Sequence, residues 1–359
     1  MSNTVIKDVL KIFNKKWNQQ VILYGPPGTS KTYSSTIIAA AMLCGVKFSE
    51  EDLKSEDSME AKIRERLVGK LQEQKKSVEE NASLYELASE FLKTRKKDYK
   101  LVQFHPSYSY EDFVRGITVE PETKEDGGKT VNTGNVQYKV ESKIIETFCD
   151  DNKDNENPFV LIIDEINRAP LASVLGELIY GLEYRGEKIS TPYVMKENDK
   201  EKDLIIPKNL YIIGTMNTAD RSIGSMDYAV RRRFAFISVG SNPNSIADSW
   251  TDEEAKNAAV LLYEELMNDE GIFAAAYKAD PEMDVEDIKI GHTYFLGRDG
   301  EGMDYLAYRV QYQILPIYQE YIKDGLIDKK GLARFKEILE KDIFKDKFQN
   351  VIANFPKTE

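Results

Sequence analysis

The sequence predicts an α/β fold, in which helices cover both faces of a parallel β-sheet and a mostly helical region follows. Three observations support this fold class. Short, almost wholly apolar runs recur along the chain, each about the length of one buried strand. Helical patterns separate these runs, as they do in βαβ units. Beyond about Asn242 the strand signal fades and only helical patterns remain.

The composition is typical of a globular protein. The 359 residues include 49 Lys and Arg against 61 Asp and Glu, a net charge of -12, and 41% are hydrophobic. At about 150 residues per domain, this length predicts two domains.

Two cysteines, Cys44 and Cys149, are too few for a disulfide framework or a zinc site, which favours a reducing, cytoplasmic compartment. No apolar run approaches about 18 residues, so we expect no membrane partner. The acidic balance argues against coating nucleic acid by bulk charge.

The N-terminal part predicts a helix, a strand, a glycine-rich loop and a second helix. Residues 1–19 have apolar positions at helical spacing. The apolar run Val21–Tyr24 predicts a strand, and a turn rich in glycine and proline follows it directly. Residues Lys31–Leu43 predict a buried helix. The charged segment of about 48–99 is interpreted as an inserted helical region that covers one edge of the sheet.

Four more strands complete a predicted sheet of five: Leu101–Phe104, Phe159–Ile163, Leu210–Thr215 and Phe234–Val239. Residues 119–140, with Asp126-Gly127-Gly128 near the middle, predict a hairpin or a flexible loop. The expected domains are therefore an α/β domain over 1–241 and a helical lid domain over 242–359.

The loop after the first strand has a pattern that carries chemistry. Gly25-Pro26-Pro27-Gly28-Thr29-Ser30-Lys31-Thr32 fits the P-loop pattern except at Ser30, where that pattern has glycine. Such a loop points backbone N–H groups at phosphate oxygens, Lys31 reaches the β and γ phosphates, and the Thr32 hydroxyl binds Mg²⁺. If the position of Ser30 needs a positive φ, serine costs on the order of 1 kcal/mol there. We expect nucleotide binding to survive that cost.

Two acids, Asp164 and Glu165, end the third predicted strand. The carboxyl ends of parallel strands are where open α/β sheets bind ligands. Asp164 can hold Mg²⁺ through water, and Glu165 can polarise the water that attacks the γ-phosphate.

Polar residues also follow the fourth predicted strand. Asn217 lies where its amide can bond the attacking water or a γ-phosphate oxygen. Further along, Arg231-Arg232-Arg233 is either surface charge or a set of fingers that reach the nucleotide of a neighbouring subunit, where a guanidinium stabilises transition-state charge.

In combination, these motifs resemble the AAA+ motors of the McrB type, the GTP-hydrolysing subunits of modification-dependent restriction systems. The resemblance covers roughly Gln20 to Tyr321. The segments that carry it are Gly25–Thr32, Asp164-Glu165-Ile166-Asn167-Arg168, Met216–Ser222, Arg231-Arg232-Arg233-Phe234, Phe104–Phe113 and Ile290–Phe295.

The resemblance implies a role near the nucleotide for seven residues. These are Asp164 as magnesium ligand, Glu165 as catalytic acid, Asn217 as sensor, Arg232 and Arg233 as arginine fingers, and Arg221 and Asp227 at the subunit interface. It also implies Mg²⁺ as cofactor, GTP as the favoured nucleotide, a homo-oligomeric ring, most simply a hexamer, and a separate McrC-like nuclease subunit. Because the motor begins almost at Met1, we expect DNA to be contacted through partner subunits.

Alternatives remain open. No motif in the sequence reads guanine, so ATP is an alternative substrate. A MoxR-like or dynein-related ATPase that remodels a protein partner is a second possibility for the function, and a nucleotide-gated scaffold with little turnover is a third. The two histidines, His105 and His292, are expected to be structural, and the aromatic residues of Phe104–Phe113 are expected to pack against the sheet.

Overall fold

The computed structural model describes residues 3–79, 81–126, 129–197, 200–219, 226–268, 271–279 and 285–356. Its strands are β1 Gln20–Gly25, β2 Tyr99–Gln103, β3 Arg115–Asp126, β4 Lys129–Ser142, β5 Phe159–Asp164, β6 Lys188–Ile189, β7 Lys196–Glu197, β8 Lys200–Glu201, β9 Leu204–Ile205, β10 Leu210–Asn217 and β11 Ala235–Ser238.

The α-helices are α1 Asn3–Asn14, α2 Lys31–Leu43, α3 Glu56–Glu73, α4 Leu84–Leu92, α5 Tyr110–Phe113, α6 Ile144–Asp151, α7 Leu171–Leu175, α8 Leu178–Glu183, α9 Tyr228–Arg231, α10 Asn244–Ser249, α11 Glu253–Asn268, α12 Ala274–Ala279, α13 Met303–Arg309, α14 Leu315–Lys323, α15 Lys329–Leu339, α16 Asp342–Lys345 and α17 Gln349–Ala353. Short 3₁₀ turns lie at Ile166–Arg168, Val285–Asp287 and His292–Phe295, and a π-turn at Val310–Ile314 joins α13 to α14.

The central element is a parallel sheet of five strands, in the order β11-β1-β10-β5-β2. Every pairing within it is parallel. The five strands are those that the apolar runs predict, so the predicted fold class is confirmed. Strand β10 lies between β1 and β5, and the carboxyl ends of these three strands are therefore neighbours.

Helices cover the sheet on both faces because its apolar side chains alternate in direction. On one face, Val21 and Leu23 of β1 share a buried cluster with α1 and α2. On the other face, Ile22 packs with residues of α6, α7 and α8. Helix α2 has the bounds that the sequence predicts, and a layered α/β core of this kind is what the predicted fold requires.

The inserted region is helical, as predicted, and it packs on the helices of one sheet face and beside Tyr99 of the edge strand β2. In α3 the buried residues recur every four positions, at Met59, Ile63, Leu67 and Leu71, and they join the cluster that contains α1 and α2. Helix α4 starts with a capping box between Ser83 and Glu86 and packs on α2 in the same cluster. The insertion is therefore an outer layer with its own apolar stripe.

The hairpin prediction is confirmed, with longer strands than expected. Strands β3 and β4 pair antiparallel, with an irregularity between Pro121 and Thr123, while Gly127 and Gly128 lie outside the described residues. A buried ion pair joins the base of the hairpin to α6. The Arg115 guanidinium donates to both carboxylate oxygens of Glu146 at 2.7 and 2.6 Å, and both side chains are almost fully buried.

The C-terminal region has a hydrophobic cluster of its own. Its buried members run from Ile246 to Phe355, whereas the two clusters on the sheet contain residues 5–239. We propose on this basis that the domains divide at 241/242. This region also contacts the P-loop directly.

Both cysteines are buried free thiols. Burial raises the pKa of Cys44 to about 11 and raises the pKa of Cys149 further, so both thiols are protonated at neutral pH. In the part of the chain that the structure describes, no helix has the length and apolar character that crossing a membrane requires.

Replacing Glu146 with alanine should lower the free energy of unfolding by about 3–5 kcal/mol, because the Arg115 guanidinium would stay buried without its carboxylate. Chemical denaturation followed by circular dichroism measures this loss. As a matched control, Glu141→Ala removes a partly exposed pair with Lys143 and should cost at most about 1 kcal/mol. Equal, small effects of the two substitutions would show that the buried pair does not anchor the hairpin.

Candidate nucleotide-binding site

The P-loop, Gly25–Thr32, turns sharply between β1 and α2. Gly25 and Gly28 have φ angles of +155° and +79°, which favour glycine. A Cβ atom on Gly25 would lie 2.4 Å from the Val239 carbonyl oxygen, and one on Gly28 would lie 2.6 Å from the Tyr294 ring. Glycine is therefore required at both positions by backbone conformation and by close packing.

The described contacts of the P-loop use its carbonyl groups and leave the N–H groups of residues 28–32 available. None of the main-chain N–H groups of residues 28–32 donates a hydrogen bond to a described residue. These N–H groups lie at the N-terminus of α2, where backbone amides and the helix dipole together favour an anion. Other groups donate to the carbonyl oxygens of the loop. Lys31 Nζ donates to Gly25 O at 2.9 Å and to Pro26 O at 2.7 Å. From the C-terminal region, Gly291 N donates to Pro27 O at 2.7 Å and Thr293 N donates to Gly28 O at 3.0 Å.

Lys31 places a positive charge in the centre of the P-loop. The residue is only 6% exposed. Burial lowers the pKa of its ammonium to about 8, and the carboxylates of Glu165 and Asp164 partly oppose that shift. A phosphate group would favour the charged ammonium more strongly than neutral carbonyl oxygens do.

Ser30 has a left-handed backbone, with φ 67° and ψ 28°. The position does need the positive φ that the P-loop pattern assigns to glycine. The Ser30 hydroxyl oxygen lies 3.1 Å from Nε2 of His292, which belongs to the C-terminal region.

Asp164 forms the centre of a small hydroxyl cluster. Its Oδ1 accepts hydrogen bonds from the Thr32 hydroxyl at 2.8 Å and from the Thr215 hydroxyl at 2.6 Å. The structure thus joins the two predicted magnesium ligands, Thr32 and Asp164. Thr215 was not predicted, although a polar residue within the apolar run of β10 is a signal that could have identified it.

Glu165 is held by contacts on three sides. Its backbone N–H donates to the Thr215 hydroxyl at 3.1 Å. One carboxylate oxygen accepts from the Asn217 amide at 2.5 Å, and the other lies 3.3 Å from Nε of Arg168. Its backbone is left-handed, with φ 53°, a conformation that costs of order 1–3 kcal/mol in a non-glycine residue and is concentrated at functional sites.

Asn217 lies at the end of β10, between the P-loop and the acids. In the sheet register it pairs with Gly25 of the P-loop. The Asn167 side chain donates to the Asn217 carbonyl oxygen at 3.2 Å and so fixes the strand end. Asn167 and Arg168 lie in a segment that carries the resemblance, but the sequence assigned no role to either residue.

The structure separates the two predicted arginine fingers. Both guanidinium groups bond the Glu183 carboxylate, but the Arg232 side chain is 65% exposed and that of Arg233 only 12%. Arg233 also donates to the carbonyl oxygens of Ile179 and Ala229, at 2.9 and 2.7 Å. Arg233 is therefore bound within its own chain, and Arg232 is the more available of the two.

The two other residues proposed for the subunit interface are not brought to the P-loop by a described contact. Arg221 lies outside the described residues. Asp227 is exposed and caps α9, its carboxylate accepting from the Ala229 N–H at 2.6 Å. Their roles at the nucleotide stay predictions. The aromatic packing predicted for Phe104–Phe113 is observed, since Phe104 and Phe113 are buried in the cluster that contains Leu161 and Ile163 of β5, and Tyr108 and Tyr110 pack against it.

The sheet order, the P-loop and the polar strand ends define a P-loop NTPase domain of the AAA+ class. The family described as AAA domain (dynein-related subfamily) matches residues 82–234. That range is less than half of the chain. It includes both acids, Asn217 and the three arginines, and it begins after the P-loop, whose assignment rests on its motif and geometry.

The chain is McrB-like in sequence. It is 35% identical, over 233 residues, to the Type IV methyl-directed restriction enzyme EcoKMcrB subunit of Escherichia coli K12, covering 62% of this chain and 47% of the relative. It is 28% identical, over 159 residues, to the Type II restriction enzyme BsuMI component YdiS of Bacillus subtilis 168, covering 38% and 46%. The chain thus spans about half the length of these relatives.

A solved structure of a candidate ATPase from Cytophaga hutchinsonii aligns over 94% of this chain and 86% of its own, at 12% identity, but its TM-score of 0.31 supports no conclusion.

Nucleotide binding should weaken as the pH rises above about 8. The Lys31 ammonium loses its proton near that pH in the free protein, whereas bound phosphate raises its pKa. Binding therefore takes up a proton, and the affinity should fall by up to roughly tenfold per pH unit. Calorimetry at about pH 8.5, in two buffers with different ionisation enthalpies, measures the uptake. In Lys31→Arg the charge is permanent, and the uptake should disappear. Wild-type binding without proton uptake would contradict this role for Lys31.

Proposed function

We propose that this chain is a Mg²⁺-dependent nucleoside triphosphatase, with GTP the favoured substrate and ATP the alternative. It acts as the ring-forming AAA+ motor of a McrBC-like DNA restriction and phage-defence complex, in which the nuclease is a separate subunit. The observation that carries hydrolysis is the meeting of the P-loop, Asp164 and the Glu165–Asn217 pair at three adjacent strand ends. Similarity to two restriction enzyme components supports the biological setting.

The first step is binding of the triphosphate by the P-loop. The free N–H groups of residues 28–32 bind phosphate oxygens, and the Lys31 ammonium exchanges carbonyl oxygens for the β and γ phosphates. The preference for GTP is supported by the resemblance alone, and no described contact discriminates between the two bases.

The oxygen atoms around Asp164 fit a magnesium ion. Mg²⁺ prefers oxygen ligands and retains several waters, so a hydroxyl and a carboxylate beside the phosphates form a suitable set. The Thr32 hydroxyl would bind the ion directly and Asp164 through water, and both side chains are already in contact. When bound, the ion neutralises charge on the phosphate oxygens.

Glu165 and Asn217 handle the attacking water. The Glu165 carboxylate accepts hydrogen bonds from Asn217 and Arg168, which hold it at the edge of the sheet. A water beside this carboxylate is polarised towards the γ-phosphate, and the Asn217 amide orients that water or a γ-phosphate oxygen.

The remaining transition-state charge is stabilised from a neighbouring subunit. Arg232 presents its guanidinium at the surface, whereas Arg233 is engaged within its chain. We assign Arg232 as the principal finger and Arg233 as the residue that supports α9. An arginine supplied in trans makes a homo-oligomeric ring, most simply a hexamer, necessary for activity. DNA is contacted through the partner subunits, and the complex is cytoplasmic.

A second candidate is a dynein-related ATPase that remodels a protein partner. The match of residues 82–234 to the dynein-related subfamily of AAA domains favours it. The two candidates differ in what the ring moves. DNA cleavage on reconstitution with a nuclease subunit supports the restriction motor, and nucleotide-dependent release of a bound protein without cleavage supports the remodelling enzyme.

Glu165→Gln should bind nucleotide within a few-fold of the wild-type affinity and should lose hydrolysis by at least about 10²-fold, because the amide cannot accept a proton from water. Phosphate release from GTP and ATP, with Mg²⁺ or with EDTA, is the measurement. Glu73→Gln, in an exposed pair with Lys70, is the matched control and should turn over normally. Wild-type turnover in Glu165→Gln would place the catalytic carboxylate elsewhere.

Arg232→Ala should lower kcat by about 10³-fold with an unchanged melting temperature, whereas Arg233→Ala should lower the melting temperature because three hydrogen bonds are lost. Mixing Arg232→Ala chains with Glu165→Gln chains should restore part of the activity, since some interfaces then contain an intact acid and an intact finger. Absence of rescue in rings shown to be mixed would refute action in trans.

A further inference from the structure

Ser30 is the non-glycine residue of the P-loop that has a left-handed backbone. It lies at the N-cap of α2, and its side chain makes no cap hydrogen bond. Such a residue persists only where its surroundings hold it. The described side-chain contact that can do so is with the His292 ring, at 3.1 Å.

The contact at Nδ1 of His292 decides which of its two ring nitrogens carries the hydrogen. The backbone N–H of Asn242 donates to Nδ1 at 3.1 Å, and a backbone amide can only donate. Nδ1 is therefore the acceptor, and the neutral ring carries its hydrogen on Nε2. The ring is 1% exposed, and burial lowers its pKa to about 4, so the neutral form dominates at physiological pH.

It follows that Nε2–H donates to the Ser30 hydroxyl oxygen. A serine hydroxyl has one hydrogen and two lone pairs. With one lone pair occupied by His292, the hydroxyl hydrogen is still free to donate, and it belongs to a loop whose amides are also free.

The His292 ring is itself held firmly against the P-loop. It belongs to the clasp, Gly291–Tyr294, whose backbone donates to two P-loop carbonyls. A Cβ on Gly291 would lie 2.0 Å from the Gly28 carbonyl oxygen, so this approach requires glycine. The Arg309 guanidinium donates to the carbonyl oxygens of Thr293 and Tyr294, and these two hydrogen bonds hold the clasp in place.

We propose that His292 is a positioning residue of the phosphate site. Its Nε2–H holds the Ser30 hydroxyl oxygen, which supports the left-handed backbone and directs the hydroxyl hydrogen towards a phosphate oxygen of the bound nucleotide. Ser30 thereby adds a side-chain donor at a position where glycine offers only its amide. This inference rests on the proposed nucleotide binding and deepens it.

The same bonds connect the nucleotide to the lid. His292 links Ser30 of the P-loop to Asn242, next to the proposed domain boundary, through its two ring nitrogens. A phosphate that orders the Ser30 hydroxyl therefore also stabilises the contact between the P-loop and the clasp.

The test compares two amide substitutions of His292 that each retain one nitrogen's function. A glutamine amide can donate from the position of Nε2, and an asparagine oxygen can accept at the position of Nδ1. Equilibrium binding of non-hydrolysable GTP and ATP analogues with Mg²⁺ is measured in the wild type, His292→Gln and His292→Asn. The same pair is then made in Ser30→Gly, and Ser30→Ala is added as a single variant.

Ser30→Ala should weaken binding roughly tenfold, because it removes the hydroxyl donor together with the His292 contact that supports the left-handed backbone. His292→Asn should weaken binding roughly five- to tenfold, and His292→Gln should recover most of that loss. In the Ser30→Gly background the ratio of the two affinities should change, because the hydroxyl is gone and only the Asn242 contact still distinguishes the two amide variants. A ratio of the two affinities that is the same with serine and with glycine at position 30 overturns the proposal.

Thermal unfolding of the same variants without nucleotide separates this inference from the proposed function. If His292 holds Ser30, the difference in melting temperature between His292→Asn and His292→Gln should change when Ser30 is replaced by glycine, because the Asn242 contact is the same in both backgrounds and the Ser30 contact is present in only one. If the wild type binds neither analogue, the proposed function and the phosphate contact fail together. Coupled melting temperatures in that case would still support the His292–Ser30 bond, and uncoupled ones would refute it.

Discussion

The site depends on the parallel pairing of β10 between β1 and β5. This register places Asn217 beside Gly25 at one edge of the sheet, and it brings Thr215 within hydrogen-bond reach of Asp164. Three segments that are far apart in sequence thus meet at neighbouring strand ends. Because every strand runs the same way, all the carboxyl ends lie at one edge, and the anion site and the acids must share it. A one-residue slip of β10 would turn its polar side chains to the opposite face.

The site depends secondly on the P-loop, whose carbonyl groups and N–H groups differ in their hydrogen bonding. Its carbonyl groups are engaged by Lys31 and by the clasp, whereas the N–H groups of residues 28–32 have no described acceptor. An arrangement of this kind favours an anion, since several N–H groups at a helix N-terminus together stabilise negative charge. It also means that the C-terminal region contacts the P-loop without competing for the groups that would bind phosphate.

Backbone strain lies at two residues of the site. Ser30 and Glu165 both have positive φ angles, and each is held by neighbouring side chains, His292 in one case and Asn217 with Arg168 in the other. Strain of a few kcal/mol is small against the burial of the strands that flank both residues. The sheet therefore stabilises a geometry that isolated loops of the same sequence would not keep.

The sequence by itself determined the fold class, the five strands, the bounds of α2 and the segments of the site, because apolar periodicity and glycine position are local properties. It could not determine which polar side chains meet, since that depends on strand order and register. Thr215, Asn167 and the His292–Ser30 contact emerged only in three dimensions. The same holds for the arginines, which are adjacent and chemically identical in sequence. Both guanidinium groups bond Glu183 in the folded chain, but only Arg233 also reaches the carbonyl oxygens of Ile179 and Ala229, so Arg233 is largely buried and Arg232 stays exposed.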